Sequence, residues 1–167
     1  ELGLQDLQLS PGGGALPDKE RRFEAGLLDL RAREGLYAEH PRGVEISEGG
    51  RPRPYNLLGR SVADVGLSTY PTKTKYQRTR PFVVTSTPTC TPDEEDFLRH
   101  DGSYPSGHSA IGWGWALILA QVAPDRQTEI LARGRAFGQS RVVCNVHWLS
   151  DTEEGRLMAS ATVARLQ

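Results

Sequence analysis

Residues 102–108 read Gly-Ser-Tyr-Pro-Ser-Gly-His, and residues 109–123 continue SAIGWGWALILAQVA. The first seven are turn residues. The next fifteen are apolar on nearly every side, so they predict a helix that is buried all round and forms the centre of the fold. Working outward, Pro124-Asp125 ends that helix and Asp125 starts another over about 126–140. Ser150 or Asp151 begins a last helix carrying Leu157, Met158, Val163 and Leu166. Upstream, Thr91-Pro92-Asp93-Glu94 sets a cap, a first-turn proline and first-turn acids in order, which predicts a short helix over 92–100. A helical stretch bears Leu57, Leu58, Val62, Val65 and Leu67 until Pro71 interrupts it. Residues 40–54 read as loop. Asp18 caps a helix over 19–34, with Phe23, Leu27, Leu28 and Leu30 on one side and Gly35 as its stop. Residues 1–17, with three successive glycines between prolines, read as a flexible arm. No stretch alternates with period two. The expectation is therefore an all-α, single-domain helical bundle over 18–167.

The chain of 167 residues is long enough for one real core and too short for two ordinary domains. No run approaches the ~18 apolar residues of a membrane span. Lys+Arg 20 against Asp+Glu 21 leaves a net charge of −1, which argues against holding nucleic acid by bulk charge. It leaves room for a local cationic pocket. The first twenty residues lack a basic stretch followed by an apolar one, so the chain reads as cytoplasmic or already processed. Cys90 and Cys144 stand in no CxxC or Cys/His cluster, so structural zinc is not expected. Two buried thiols and one disulfide are equally compatible with the sequence.

Three clusters carry chemistry: Lys73, six residues, Arg80-Pro81; Pro105-Ser106-Gly107-His108; and Ser140-Arg141, five residues, His147, three residues, Asp151. Lys73, Arg80 and Arg141 are cations, and guanidinium groups match phosphate oxygens bidentately. Ser106 and Gly107 stand where a turn enters the buried helix. There, backbone N–H groups and the helix dipole favour an anion. His147 and Asp151 are four apart, so a helix containing both would let the carboxylate fix the imidazole tautomer. His108 is a second imidazole. One histidine to attack and one to protonate a leaving group, around a cationic hole, describes metal-free phosphoryl transfer.

Each cluster alone has a plainer reading. Lys73 and Arg80 could be surface charges with Pro81 ending a helix, PSGH could be a turn with an N-cap serine, and His147–Asp151 could be a surface ion pair. Together they fix eleven letters in order, and at a usage of about one in twenty each, coincidence is negligible. Trp113 and Trp115 read as core. Trp148 could pack beneath His147 or line the pocket entrance, Tyr104 could face substrate or pack in its turn, and His40 and His100 read as surface residues.

The clusters resemble, without a mismatch, the signature KxxxxxxRP…PSGH…SRxxxxxHxxxD of the type 2 phosphatidic acid phosphatase superfamily. The strings YQRTRPF, DGSYPSGHSAIGW and GQSRVVCNVHWLSD are similar to the bacterial class A non-specific acid phosphatases in particular. The resemblance covers roughly residues 55–167. It implies an all-α fold, His147 as the nucleophile that becomes phosphohistidine, Asp151 orienting it, and His108 as general acid. It further implies that Lys73, Arg80, Ser106, Gly107, His108 and Arg141 cradle the phosphate with no metal or other cofactor. It also implies a Cys90–Cys144 disulfide and a periplasmic or secreted location. Residues 1–50 match that family weakly and relatives usually continue with more helix beyond Gln167, so some supporting helices are expected to be either missing or supplied by a neighbouring subunit, and a homo-oligomer is expected.

The function expected on this basis is hydrolysis of small-molecule phosphomonoesters, with phosphotransfer to alcohols as a second outcome and inhibition by inorganic phosphate or vanadate. No nucleic-acid partner and no membrane span are expected. A vanadium-dependent haloperoxidase-like enzyme is the alternative within the same pocket. A non-catalytic phosphate-binding or assembly protein is the alternative outside enzymes.

Overall fold

The structure is a computed structural model that describes residues 52–167. The arm over 1–17, the helix over 19–34 and most of the loop over 40–54 lie outside the described residues. The chain divides into two compact units, Glu1–Gly59 and Arg60–Gln167, and the second carries the three clusters. Among the described residues every regular element is helical. These are α1 (Pro52–Leu67), α2 (Tyr70–Tyr76), α3 (Pro81–Thr85), a 3₁₀ turn (Pro92–Glu94) leading into α4 (Glu95–Arg99), α5 (Gly107–Val122), a second 3₁₀ turn (Pro124–Arg126), α6 (Gln127–Val143) and α7 (Leu149–Leu166).

Helix α5 is central, as its composition requires. Ala110, Ile111, Trp115, Ala116 and Ala120 are buried, and α6 and α7 pack along its sides. Val65 of α1 joins Ala110 of α5 and Ala159 and Val163 of α7 in one cluster, flanked by Trp113, Leu117 and Ile118. Close approach depends on missing side chains. A Cβ on Gly112 would lie 2.2 Å from the Phe137 ring, so α6 seats its phenylalanine directly on the α5 backbone. Burying a ring of that size contributes roughly 1.5–3 kcal/mol. Trp115 is core, as expected. Trp113 is half-buried and donates its indole N–H to Ser160 Oγ at 3.0 Å, satisfying its one polar atom.

Four boundaries differ from expectation, three of them at prolines. Helix α1 starts at Pro52, inside the stretch read as loop. Pro71 and Pro81 each sit in the first turn of a short helix instead of stopping one. A proline at the first positions of a helix loses no hydrogen bond, because the N–H it lacks has no intrahelical partner there. The short helices α2 and α3 were not anticipated for this reason. The fourth difference is the start of α7 at Leu149, with Trp148 as its N-cap, one or two residues earlier than the polar cap residues suggested.

Candidate active site

All three clusters lie at helix ends. Lys73 is buried on α2, whose last turn is closed by Gln77 in the left-handed region (φ 43°), its N–H donating to the Lys73 carbonyl at 2.9 Å. The chain then runs extended to Arg80, the N-cap of α3. Lys73 Nζ donates to the Gly102 carbonyl at 2.6 Å and lies 3.8 Å from Asp101 Oδ2. Burial lowers the Lys73 amine to about 8, with Asp101 opposing that fall and Arg80 adding to it.

Arg80 is 3% exposed and its whole guanidinium is engaged. Nε donates to the carbonyls of Leu98 (3.0 Å) and Asp101 (2.9 Å). Nη2 meets Asp101 Oδ2 at 2.8 Å, and Nη1 donates to the Val146 carbonyl at 3.0 Å. Nη1 also stands 3.2 Å from His147 Nε2. A guanidinium has no acceptor, so Nε2 must offer its lone pair and the ring proton must sit on Nδ1.

The second cluster is the N-terminus of α5. Ser106 is the N-cap, and its Oγ accepts from the Ser109 N–H at 3.2 Å and from Ser109 Oγ at 2.9 Å. With two bonds accepted, the Ser106 hydroxyl proton is left to donate outward. The Ser106 N–H is committed to the Asp151 carbonyl at 2.9 Å. The Asp151 carbonyl takes that amide because α7 comes very close: a Cβ on Gly155 would lie 2.4 Å from the Ser106 carbonyl.

The third cluster is a helix exit and a helix entry. Helix α6 ends in a Schellman motif. Asn145, in the left-handed region (φ 61°), donates to the Val142 carbonyl at 2.9 Å, and Val146 donates to the Arg141 carbonyl at 3.2 Å. The His147 N–H reaches the same Arg141 carbonyl at 3.2 Å. The spacing Arg-x5-His is thus the length of this cap. His147 lies outside α7, so the two residues do not share one helix: Asp151 is the third residue of the helix and reaches back across its N-terminus. Its Oδ2 accepts the Trp148 N–H at 2.8 Å and lies 3.4 Å from His147 Nδ1. Cys90 and Cys144 are bonded, and Cys144 is the C-cap of α6.

The charges of Lys73, Arg80 and Arg141 all act on both imidazoles. His147 is held well below its ordinary value by burial, then by Arg80, Lys73 and Arg141, while a hydrogen bond to the Ser103 carbonyl raises it. His108 is also held well below, by burial, then by Arg141, His147, Arg80 and Lys73. Two residues were missed from sequence: Asp101, which balances Lys73 and Arg80, and Arg78, whose Nη1 meets Asp151 Oδ1 at 2.7 Å. Both stand inside the strings that carried the resemblance, but neither is one of its fixed letters. Trp148 is half-buried and donates from its indole to the Thr79 carbonyl at 2.9 Å. Tyr104 is half-buried edge-on to Tyr76, and His100 is exposed.

Residues 54–166 match the PAP2 superfamily. The chain belongs to that superfamily. Within it, the chain is 46% identical over 168 residues to a non-specific acid phosphatase of Providencia stuartii, covering 99% of this chain and 68% of that protein. It is 44% identical over 126 residues to a non-specific acid phosphatase of Salmonella typhi, covering 75% of this chain and 50% of that protein. An acid phosphatase of Zymomonas mobilis is 43% identical over 128 residues, covering 74% of this chain and 47% of that protein. The chain thus spans about two thirds of the Providencia relative and about half of the other two. No helix among the described residues is long and apolar enough to cross a membrane.

Proposed function

We propose that this PAP2-superfamily chain is an acid phosphatase that hydrolyses phosphomonoesters through a phosphohistidine at His147. The observation that carries the reading is the setting of the His147 ring, with Arg80 Nη1 3.2 Å from Nε2 and Asp151 Oδ2 3.4 Å from Nδ1. Arg80 and Asp151 flank the ring so that Nε2 holds a lone pair and Nδ1 the proton, which is the form a nucleophile needs. Lys73, Arg80 and Arg141 supply the positive charge for the phosphoryl oxygens. The Ser106 hydroxyl and the Gly107 amide supply donors at the start of α5.

The chemistry balances on these residues. His147 Nε2 attacks phosphorus, a P–N bond forms, and the P–O bond to the alcohol breaks. The departing oxygen takes a proton from His108. Water then attacks the phosphohistidine, gives a proton back to His108, and the P–N bond breaks to release phosphate. An alcohol in place of that water gives phosphotransfer. Burial first, and then the cations, hold His147 well below its ordinary value, which favours the neutral ring. His108 must be protonated, and the cations oppose that. An entering phosphate dianion offsets their charge, so substrate brings the conditions under which His108 acquires its proton. Location in the periplasm or outside the cell, and assembly as a homo-oligomer, are part of the same reading.

The test is rapid quenching with radiolabelled phosphomonoester in EDTA. An acid-labile, base-stable label should appear on the wild-type chain and be absent from His147→Ala. Label retained by His147→Ala, or turnover abolished by EDTA and restored by a divalent metal, would overturn the proposal.

A further inference from the structure

We infer that Arg78 is a positioning residue for His147, acting through Asp151: it fixes the Asp151 carboxylate and balances its charge, leaving the imidazole neutral and nucleophilic. The inference rests on the reading of His147 as nucleophile.

Asp151 is fully buried and its carboxylate is shared unequally. Oδ1 goes to Arg78 at 2.7 Å, Oδ2 takes the Trp148 N–H at 2.8 Å, and only the longest contact, 3.4 Å, is to His147. The strong charge-assisted bond is therefore to Arg78, 73 residues away in sequence, and not to the histidine four residues away. Arg78 is itself anchored. Nη1 also donates to Ser150 Oγ at 2.7 Å, the guanidinium lies 5.5 Å from the centre of the Trp148 ring, and its carbonyl accepts the Ser103 N–H at 2.9 Å. It thus ties the strand of chain before α3 to the first turn of α7.

The surrounding charges define what its loss would do. Asp151 is faced by Arg78 and His147, with Lys73 and Arg80 further off and the Tyr104 phenol at the rim. His147 is faced by Arg80, Lys73, Arg141, His108 and Asp151. Without Arg78, the group in ion-pair contact with the buried carboxylate is the imidazole alone. The carboxylate would then draw a second proton onto the ring, and that proton would occupy Nε2, the attacking atom. A lysine could keep the charge and donate to Asp151 and Ser150 from one nitrogen, as Arg78 Nη1 does, but it has no planar guanidinium to lie over Trp148.

The test compares wild type, Arg78→Met and Arg78→Lys by two readouts: the pH profile of kcat/KM on p-nitrophenyl phosphate, and NMR titration of the His147 ring. For Arg78→Met the acid limb and the ring titration should both move to higher pH by about one unit, a tenfold loss of neutral imidazole on the acid side. Arg78→Lys should move them in the same direction by less, and it carries the test if Arg78→Met does not fold. Adding Asp151→Asn to either variant should cancel the shift in the ring titration. A uniform loss of rate with both limbs in place and an unmoved ring titration would overturn the inference and leave Arg78 a structural tie. The ring titration needs no turnover, so it judges Arg78 even if His147→Ala proves active and the nucleophile reading fails.

Discussion

His108 must hold a proton in a pocket whose cations repel one, and this makes it the residue most sensitive to the leaving group. A phenolate departs with little help, whereas an alkoxide needs the proton fully transferred. His108→Ala should therefore slow simple alkyl phosphates far more than p-nitrophenyl phosphate, by a further ~10²-fold on the usual scale of general acid catalysis. Comparing kcat/KM on the two substrates checks it, and equal damage would leave His108 as a phosphate ligand only. Lys73 sets a limit on the other side of the pH range. Its amine, lowered to about 8 by burial, is charged below that pH and loses its proton above it. Inhibition by inorganic phosphate should accordingly weaken as the pH rises through about 8. A Ki that stays flat to pH 9.5 would show that Lys73 contributes no charge to binding.

At the scale of elements the site is made of helix ends. Ser106 begins α5, Arg141 ends α6, and Asp151 lies in the first turn of α7. Gly155 lets the third of these helices meet the first. Gly155→Ala would push a methyl into the Ser106 carbonyl, so α7 would have to move and take Asp151 with it. Overpacking of this kind costs about 1–3 kcal/mol. Urea unfolding should show that loss, and kcat should fall with it; a variant of unchanged stability and rate would mean the two helices have slack. This arrangement also explains what could be read from the sequence. The apolar run of α5 and its Ser106 cap are local signals, so both were legible. Lys73, Arg80, Arg141, His108, His147 and Asp151 were legible as letters at fixed spacing. Their mutual geometry was not, because a Schellman turn and a reach across a helix N-terminus leave no periodic trace in sequence. Arg78 and Asp101 were invisible for a related reason: an ion pair between distant segments has no local pattern, and either residue alone looks like a surface charge. Helices α2 and α3 were hidden by prolines, whose role depends on the turn in which they fall.

For the molecule as a whole, the buried His147 and the half-buried His108 set an acid limit to stability. Folded, both lie well below the ordinary value; unfolded, both return to about 6.5. The unfolded chain therefore binds more protons in acid, and stability is lost as the pH falls below ~6.5. The melting temperature of the ligand-free protein should drop between pH 7.5 and pH 5, and saturating phosphate should restore part of it, because an anion both binds the folded state and favours charged imidazoles. A melting temperature indifferent to pH over that range would argue against two neutral pocket histidines. The cap between Arg141 and His147 has a different kind of consequence. It consists of two nested hydrogen-bonded rings, Asn145 to Val142 inside Val146 to Arg141, and ring size is a matter of counting atoms. Val143 in that cap is 77% exposed, so its side chain is open to replacement. The number of residues is not: one deletion opens the outer ring and rotates the next side chain away from Arg80. The molecule is in this sense written in intervals, and an insertion or deletion in a spacer would do more harm than most changes of letter.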